Sequence, residues 1–175
     1  MVQLELLGVR VELPSNTPVM LLQELEGRRR KLSIFIGGPE AAAIAFALDG
    51  VDPPRPLTHD LACTLVSELG SSLERVVITE LRDTTFYADL HLADPGAGTG
   101  DDPAGGGADI PPLVVSARPS DAVALAVRVG APIFATEELL GEAGYSESEE
   151  EETPEEVVEE FREFIQNVSP DDFAS

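Results

Sequence analysis

With 43% hydrophobic residues among 175, the chain has enough apolar material for one core plus appendages. A single cysteine, Cys63, excludes an intramolecular disulfide and any cysteine-cluster metal site, and it reads as a small buried apolar residue on a helix. The formal charge of −22 opposes generic binding to polyanions, which rests on Lys and Arg neutralising phosphates.

In chain order, Val2–Leu13 alternates polar and apolar residues as a strand does, and Pro14-Ser15-Asn16 supplies the turn that ends it. Val19–Glu26 and Leu32–Ile36 flank a turn that starts at Gly27, so the opening is predicted to be an antiparallel meander. The basic run Arg28-Arg29-Arg30-Lys31 falls in that turn, where charges are expected to be solvated, with contact to a nucleic acid as the alternative.

Gly37-Gly38-Pro39-Glu40 then introduces Ala41–Leu48, an Ala-rich helix whose apolar residues go round much of its surface and predict burial on most sides. Asp49-Gly50 stops it, and a Pro-rich loop leads to a second helix, Thr58–Leu69, ended by Gly70. Leu73–Leu81 and Thr85–Leu92 read as a strand pair joined at Arg82-Asp83-Thr84.

Residues 94–112, rich in Gly, Asp, Pro and Ala, form a predicted flexible insertion outside the core. Leu113–Ala117 resumes as a strand, and Pro119 opens a helix to Val129, with Gly130 after its end. Pro132–Ala135 is a short strand, and Thr136–Ala143 a short helix with Thr136 as its cap. The predicted domain is 1–145.

Residues 146–175 carry −11, half the net charge in about a sixth of the chain. They begin as an acidic linker. Thr153-Pro154-Glu155-Glu156 then forms a capping box, and Val157, Val158, Phe161, Phe164, Ile165 and Val168 recur at helical spacing, predicting an acidic amphipathic C-terminal helix that docks on its own domain or on a protein partner. The sequence opens with no basic region followed by an apolar run, and has no apolar stretch of about 18 residues; a cytoplasmic location and no membrane role are expected.

Two segments carry the chemistry. Arg55-Pro56-Leu57-Thr58-His59-Asp60-Leu61 and Ala117-Arg118-Pro119-Ser120-Asp121-Ala122 each place an Arg, a hydroxyl and an Asp at a predicted helix start, where free N–H groups and the helix dipole favour an anion. Thr58 and Ser120 are the predicted N-caps. Side by side, two such starts would hold a phosphate. Alternatively, Arg55 and Arg118 pair with Asp60 and Asp121 in a network that only fastens the fold.

Phe35-Ile36-Gly37 followed by Glu40-Ala41, the segment from Arg55 to Leu61, Thr85-Phe86-Tyr87-Ala88, the segment from Ala117 to Ala122, Leu125-Ala126 and Pro132-Ile133-Phe134 occur in this order, and the stretch 2–144 resembles the bifunctional nuclease domain family. The resemblance implies an α+β domain, with a mixed, largely antiparallel sheet covered by helices. It also implies a homo-oligomer and hydrolysis of both DNA and RNA.

Phosphodiester hydrolysis needs an activated water, an anion clamp and a group to protonate or stabilise the leaving oxygen. His59, Asp60, Arg118 and Asp121 are the catalytic candidates, with His59 as base or acid. Arg55, Thr58 and Ser120 are the phosphate-binding candidates. Glu40, Asp60 and Asp121 are the candidate oxygen ligands for Mg²⁺ or Mn²⁺, although no spacing in the sequence fixes a metal geometry. The competing reading is a non-enzymatic regulatory or scaffold module that binds a small anion or a protein partner.

Overall fold

In the computed structural model, residues 1–93 and 113–146 are described; the predicted insertion and the predicted C-terminal helix lie outside them. The elements are β1 (Val2–Glu12), β2 (Thr17–Glu24), β3 (Lys31–Phe35), α1 (Gly38–Leu48), α2 (Thr58–Glu68), β4 (Leu73–Arg82), β5 (Thr85–Leu92), β6 (Leu113–Ala117), α3 (Pro119–Val129), β7 (Ile133–Ala135) and α4 (Glu137–Ala143).

The strands form one open sheet in the order β3-β2-β1-β7-β4-β5-β6. β7 runs parallel to β4, and the other neighbours pair antiparallel, so the sheet is mixed and largely antiparallel as predicted. The short β7 joins the β1–β3 meander to the β4–β6 meander, and its Ile133 and Ala135 are buried where the halves meet. A bulge between Leu6 and Gly8 interrupts β1, with Gly8 at a φ of 142° that suits glycine.

α1 packs on α3 and over β1 and β2; α3 lies over β4 and β5, and α2 lies on α3. Ala122, Ala124 and Ala126 are fully buried on α3, and their small side chains let backbones approach closely. The core joins Met20 and Leu22 of β2, Ile44 of α1, Val76 and Ile78 of β4, Val123 of α3 and Leu139 and Leu140 of α4. Pro at the first turn of α3, Gly130 at φ 70° after it, and the Thr136 hydroxyl accepting from the Leu139 N–H at 3.2 Å match the predicted boundaries.

Two expectations fail. α1 is not buried on most sides: Ala41, Ala43 and Ile44 are covered, but Phe46 and Leu48 are exposed, Phe46 at a cleft that it shares with Pro53 and Pro56 of the Pro-rich loop. Nor is the basic run simply solvated. Arg30 reaches inward to Glu24, donating from Nε at 3.0 Å and from Nη2 at 2.5 Å, while its backbone N–H adds a bond at 2.9 Å. The Glu24 side chain is 3% exposed, so that carboxylate needs its cation. Arg30 Nη2 also reaches Glu137 of α4 at 2.9 Å, tying the β2–β3 turn to the last helix.

Candidate functional site

Neither Thr58 nor Ser120 is the cap of its helix. α2 begins at Thr58 with Leu57 in the capping position, and Leu57 has no side-chain oxygen to offer. Asp60, in the third helical position, substitutes by accepting the Leu57 N–H at 2.7 Å. Its other oxygen accepts from Arg128 Nε at 2.5 Å, and Arg128, on α3, is nearly buried. Arg128 first, and then the Leu57 N–H, hold the Asp60 carboxyl below the usual range. Asp60 therefore fastens the start of α2 to α3.

α3 begins similarly, with Arg118 in the capping position, Pro119 and Ser120 next, and Asp121 third. Arg118 donates to Asp121 through Nε at 2.6 Å and Nη2 at 3.0 Å, a forked guanidinium–carboxylate contact. The same Nη2 donates to Glu40 Oε1 of α1 at 2.8 Å. His59 Nε2 of α2 lies 3.0 Å from Asp121 Oδ1.

The first turns of three helices thus meet in one cluster, with α1 supplying Glu40, α2 His59 and α3 Asp121. Burial pushes the Asp121 carboxyl up, but bonds from Arg118 and His59 more than offset it and leave it below the usual range. The two carboxylates push the Arg118 guanidinium further up, so it is a permanent cation. Its side chain is 66% exposed, whereas those of His59 and Glu40 are 13% and 15% exposed. The cluster therefore shows solvent mainly its guanidinium.

Gly37 makes room for this geometry. A Cβ there would meet Glu40 Oε2 at 2.2 Å, so only glycine lets Glu40 fold back toward Arg118 without shifting. A groove of about 380 Å³ runs beside the cluster, lined by Arg118 and Ser120, by Phe35 and by the tip of the β4–β5 hairpin.

Of the predicted residues, His59, Arg118, Asp121 and Glu40 come together. Ser120 is buried and lines the groove, and Thr58 is exposed at the first position of α2. Asp60 is turned away to Arg128. Arg55 is exposed on the loop before α2 and makes no ion pair or hydrogen bond among the described residues. Among the described residues no three His, Cys, Asp or Glu side chains are grouped so as to share an ion. His91 lies apart, 3.1 Å from Arg75 Nη2.

Sequence reasoning missed Arg128 as the partner of Asp60, because 68 positions separate them and no motif joins them. It also missed the part that Gly37 plays, although Phe35-Ile36-Gly37 stood among the distinguishing motifs.

The fold and the cluster define a small α+β domain with an arginine-centred polar corner built from three helix starts. The chain belongs to the bifunctional nuclease domain family, whose family model it matches over residues 20–148. It is also 48% identical over 177 residues to "Uncharacterized protein MT1877" of Mycobacterium tuberculosis strain CDC 1551 / Oshkosh and to "Uncharacterized protein Rv1829" of strain ATCC 25618 / H37Rv. Those alignments cover 98% of this chain and 97% of each relative. Among the described residues no helix is long and apolar enough to cross a membrane.

Proposed function

We propose that the chain is a nuclease that hydrolyses phosphodiester bonds in DNA and RNA at the Arg118 corner. The observation that carries this reading is the pairing of an exposed, pre-aligned guanidinium with a His–Asp dyad on the same carboxylate. Arg118 would take the charge that develops on the phosphoryl oxygens. His59, oriented through Asp121, would accept a proton from water or return one to the leaving oxygen. The Ser120 hydroxyl would position phosphate or water, and the exposed Arg55 and Thr58 would receive backbone further along. Asp60 acts by positioning, since it holds α2 and hence His59.

Nuclease chemistry commonly uses Mg²⁺ or Mn²⁺. Here Glu40 and Asp121 are the two carboxylates at the corner, and both bond to Arg118. With Asp60 elsewhere, the residues do not fit the three-carboxylate cage, and no step is routed through a metal.

A second reading has its own support. With His59 neutral, Glu40, Asp121 and Arg118 sum to one negative charge, and every ionised member of the cluster is paired. That pattern suits a regulatory or scaffold module whose polar corner fixes the fold.

The discriminating experiment incubates the purified protein with single-stranded DNA and RNA in Mg²⁺, Mn²⁺ or EDTA, beside folded His59→Ala and Arg118→Ala variants. Wild-type cleavage with a loss of about 100-fold in each variant supports the nuclease. Cleavage unchanged in both variants overturns the site. An inactive wild type in every condition favours the module.

A further inference from the structure

We infer that the groove beside Arg118 seats an unstacked nucleobase on Phe35, so the substrate enters as a single strand with one base splayed away from its neighbours. The inference rests on the nuclease reading and adds the substrate's conformation to it. Phe35 ends the edge strand β3, and it is 62% exposed. It lines the groove together with Phe86, Thr84, Thr85, Ser120 and Arg118. At about 380 Å³ the groove falls within the range of small-ligand clefts, roughly 300–1,000 Å³.

The lining is chemically mixed. It combines a guanidinium suited to a phosphate, an exposed aromatic side chain suited to a base, and the hydroxyls of Ser120, Thr84 and Thr85, suited to base edges or a sugar. This combination is how single strands are held without dependence on sequence, because every base has a π-face. A paired, stacked duplex presents no free π-face to Phe35.

The hairpin tip that lines the groove with Phe35 is held in an unusual form. Its two-residue turn, Asp83-Thr84, has φ of 49° and 63°, a type I′ geometry that ordinarily selects Asn-Gly. A β-branched residue in the left-handed region is an outlier, and such strain concentrates at ligand-gripping segments. The turn sets Thr84 and Thr85 against the same groove.

The test uses the full-length protein, Phe35→Ala and Phe35→Tyr variants, and single-stranded oligonucleotides in which one abasic site is moved along the strand. Because Phe35 is exposed, both variants should retain the wild-type melting temperature. The expected result is a 5- to 150-fold loss of kcat/KM in Phe35→Ala, about the worth of one stacked base. Phe35→Tyr should stay near wild type, and an abasic site at one fixed distance from the cut bond should reproduce the loss. Cleavage by Phe35→Ala at the wild-type rate, or indifference to every abasic position, overturns the base seat and leaves the nuclease reading standing.

Should the wild type cleave nothing, equilibrium binding of the same oligonucleotides decides. Tighter binding of the intact strand than of the abasic one, erased in Phe35→Ala, upholds the seat without the chemistry, and equal binding overturns it. A change of oligomeric state in Phe35→Ala, read by light scattering, also overturns it, since Phe35 would then be a contact between copies.

Discussion

His59 and Asp121 stand 62 positions apart in sequence, yet His59 Nε2 lies 3.0 Å from the Oδ1 that also accepts from Arg118. One carboxylate therefore orients an imidazole and a guanidinium together. Replacing Asp121 with Asn keeps the volume but removes the charge that both partners use. On the proposed nuclease reading, steady-state cleavage by a folded Asp121→Asn protein should fall by about 100-fold, as for loss of a positioned acid–base group. A decline smaller than threefold would show that His59 acts without Asp121.

Gly37 offers a separation of fold from function. Its φ of −73° is acceptable to alanine, yet the new Cβ would displace the Glu40 carboxylate from Arg118. Gly37→Ala should melt at or above the wild-type temperature, since alanine lowers the entropy of the unfolded chain. On the same nuclease reading, its cleavage rate should fall between about 10- and 100-fold through misplacement of the guanidinium. Unaltered activity would mean that Glu40 does not set the position of Arg118.

Glu24 and Arg30 form the most enclosed ion pair among the described residues. Arg30→Met would leave a buried carboxylate without its cation, at a cost of about 3–5 kcal/mol by urea denaturation. Changing both residues, as Glu24→Leu with Arg30→Met, should recover most of that loss, because the desolvation of two charges disappears with them. A double variant as unstable as the single one would contradict this account.

Asp60 makes stability depend on acid. Its folded carboxyl is held below the unfolded value by Arg128 and the Leu57 N–H. The stabilisation is complete above the unfolded value, about 3.9, and disappears as pH falls through the lower folded one. The difference in urea midpoint between wild type and Asp60→Asn should therefore be constant from pH 7 to about 5 and shrink toward zero below about 4. A difference that does not shrink at all between pH 5 and pH 2 would assign the effect to packing alone.

Most strands and helices were legible in the sequence because their signals are local. Alternation along β4 and β5, Pro119 and Gly130 around α3, and the Thr136 cap each depend on neighbours within a few residues. Where prediction failed, the cause was a distant contact. Thr58 has the right chemistry for a cap, but Asp60, anchored by Arg128, does the capping instead. Arg30 belongs to a polar run, yet a buried carboxylate draws it inward.

The sequence by itself determined the order of the elements, their approximate ends, the family and the presence of an Arg, an Asp and a His near helix starts. Only the tertiary structure decided which of these meet, since that depends on how α1, α2 and α3 pack across the sheet. It joined Glu40 to Arg118 over 78 positions, turned Asp60 away to Arg128 and left Arg55 exposed on its loop. Hydrogen bonds act over about 3 Å and require specific directions, so closeness along the chain cannot stand in for closeness in space.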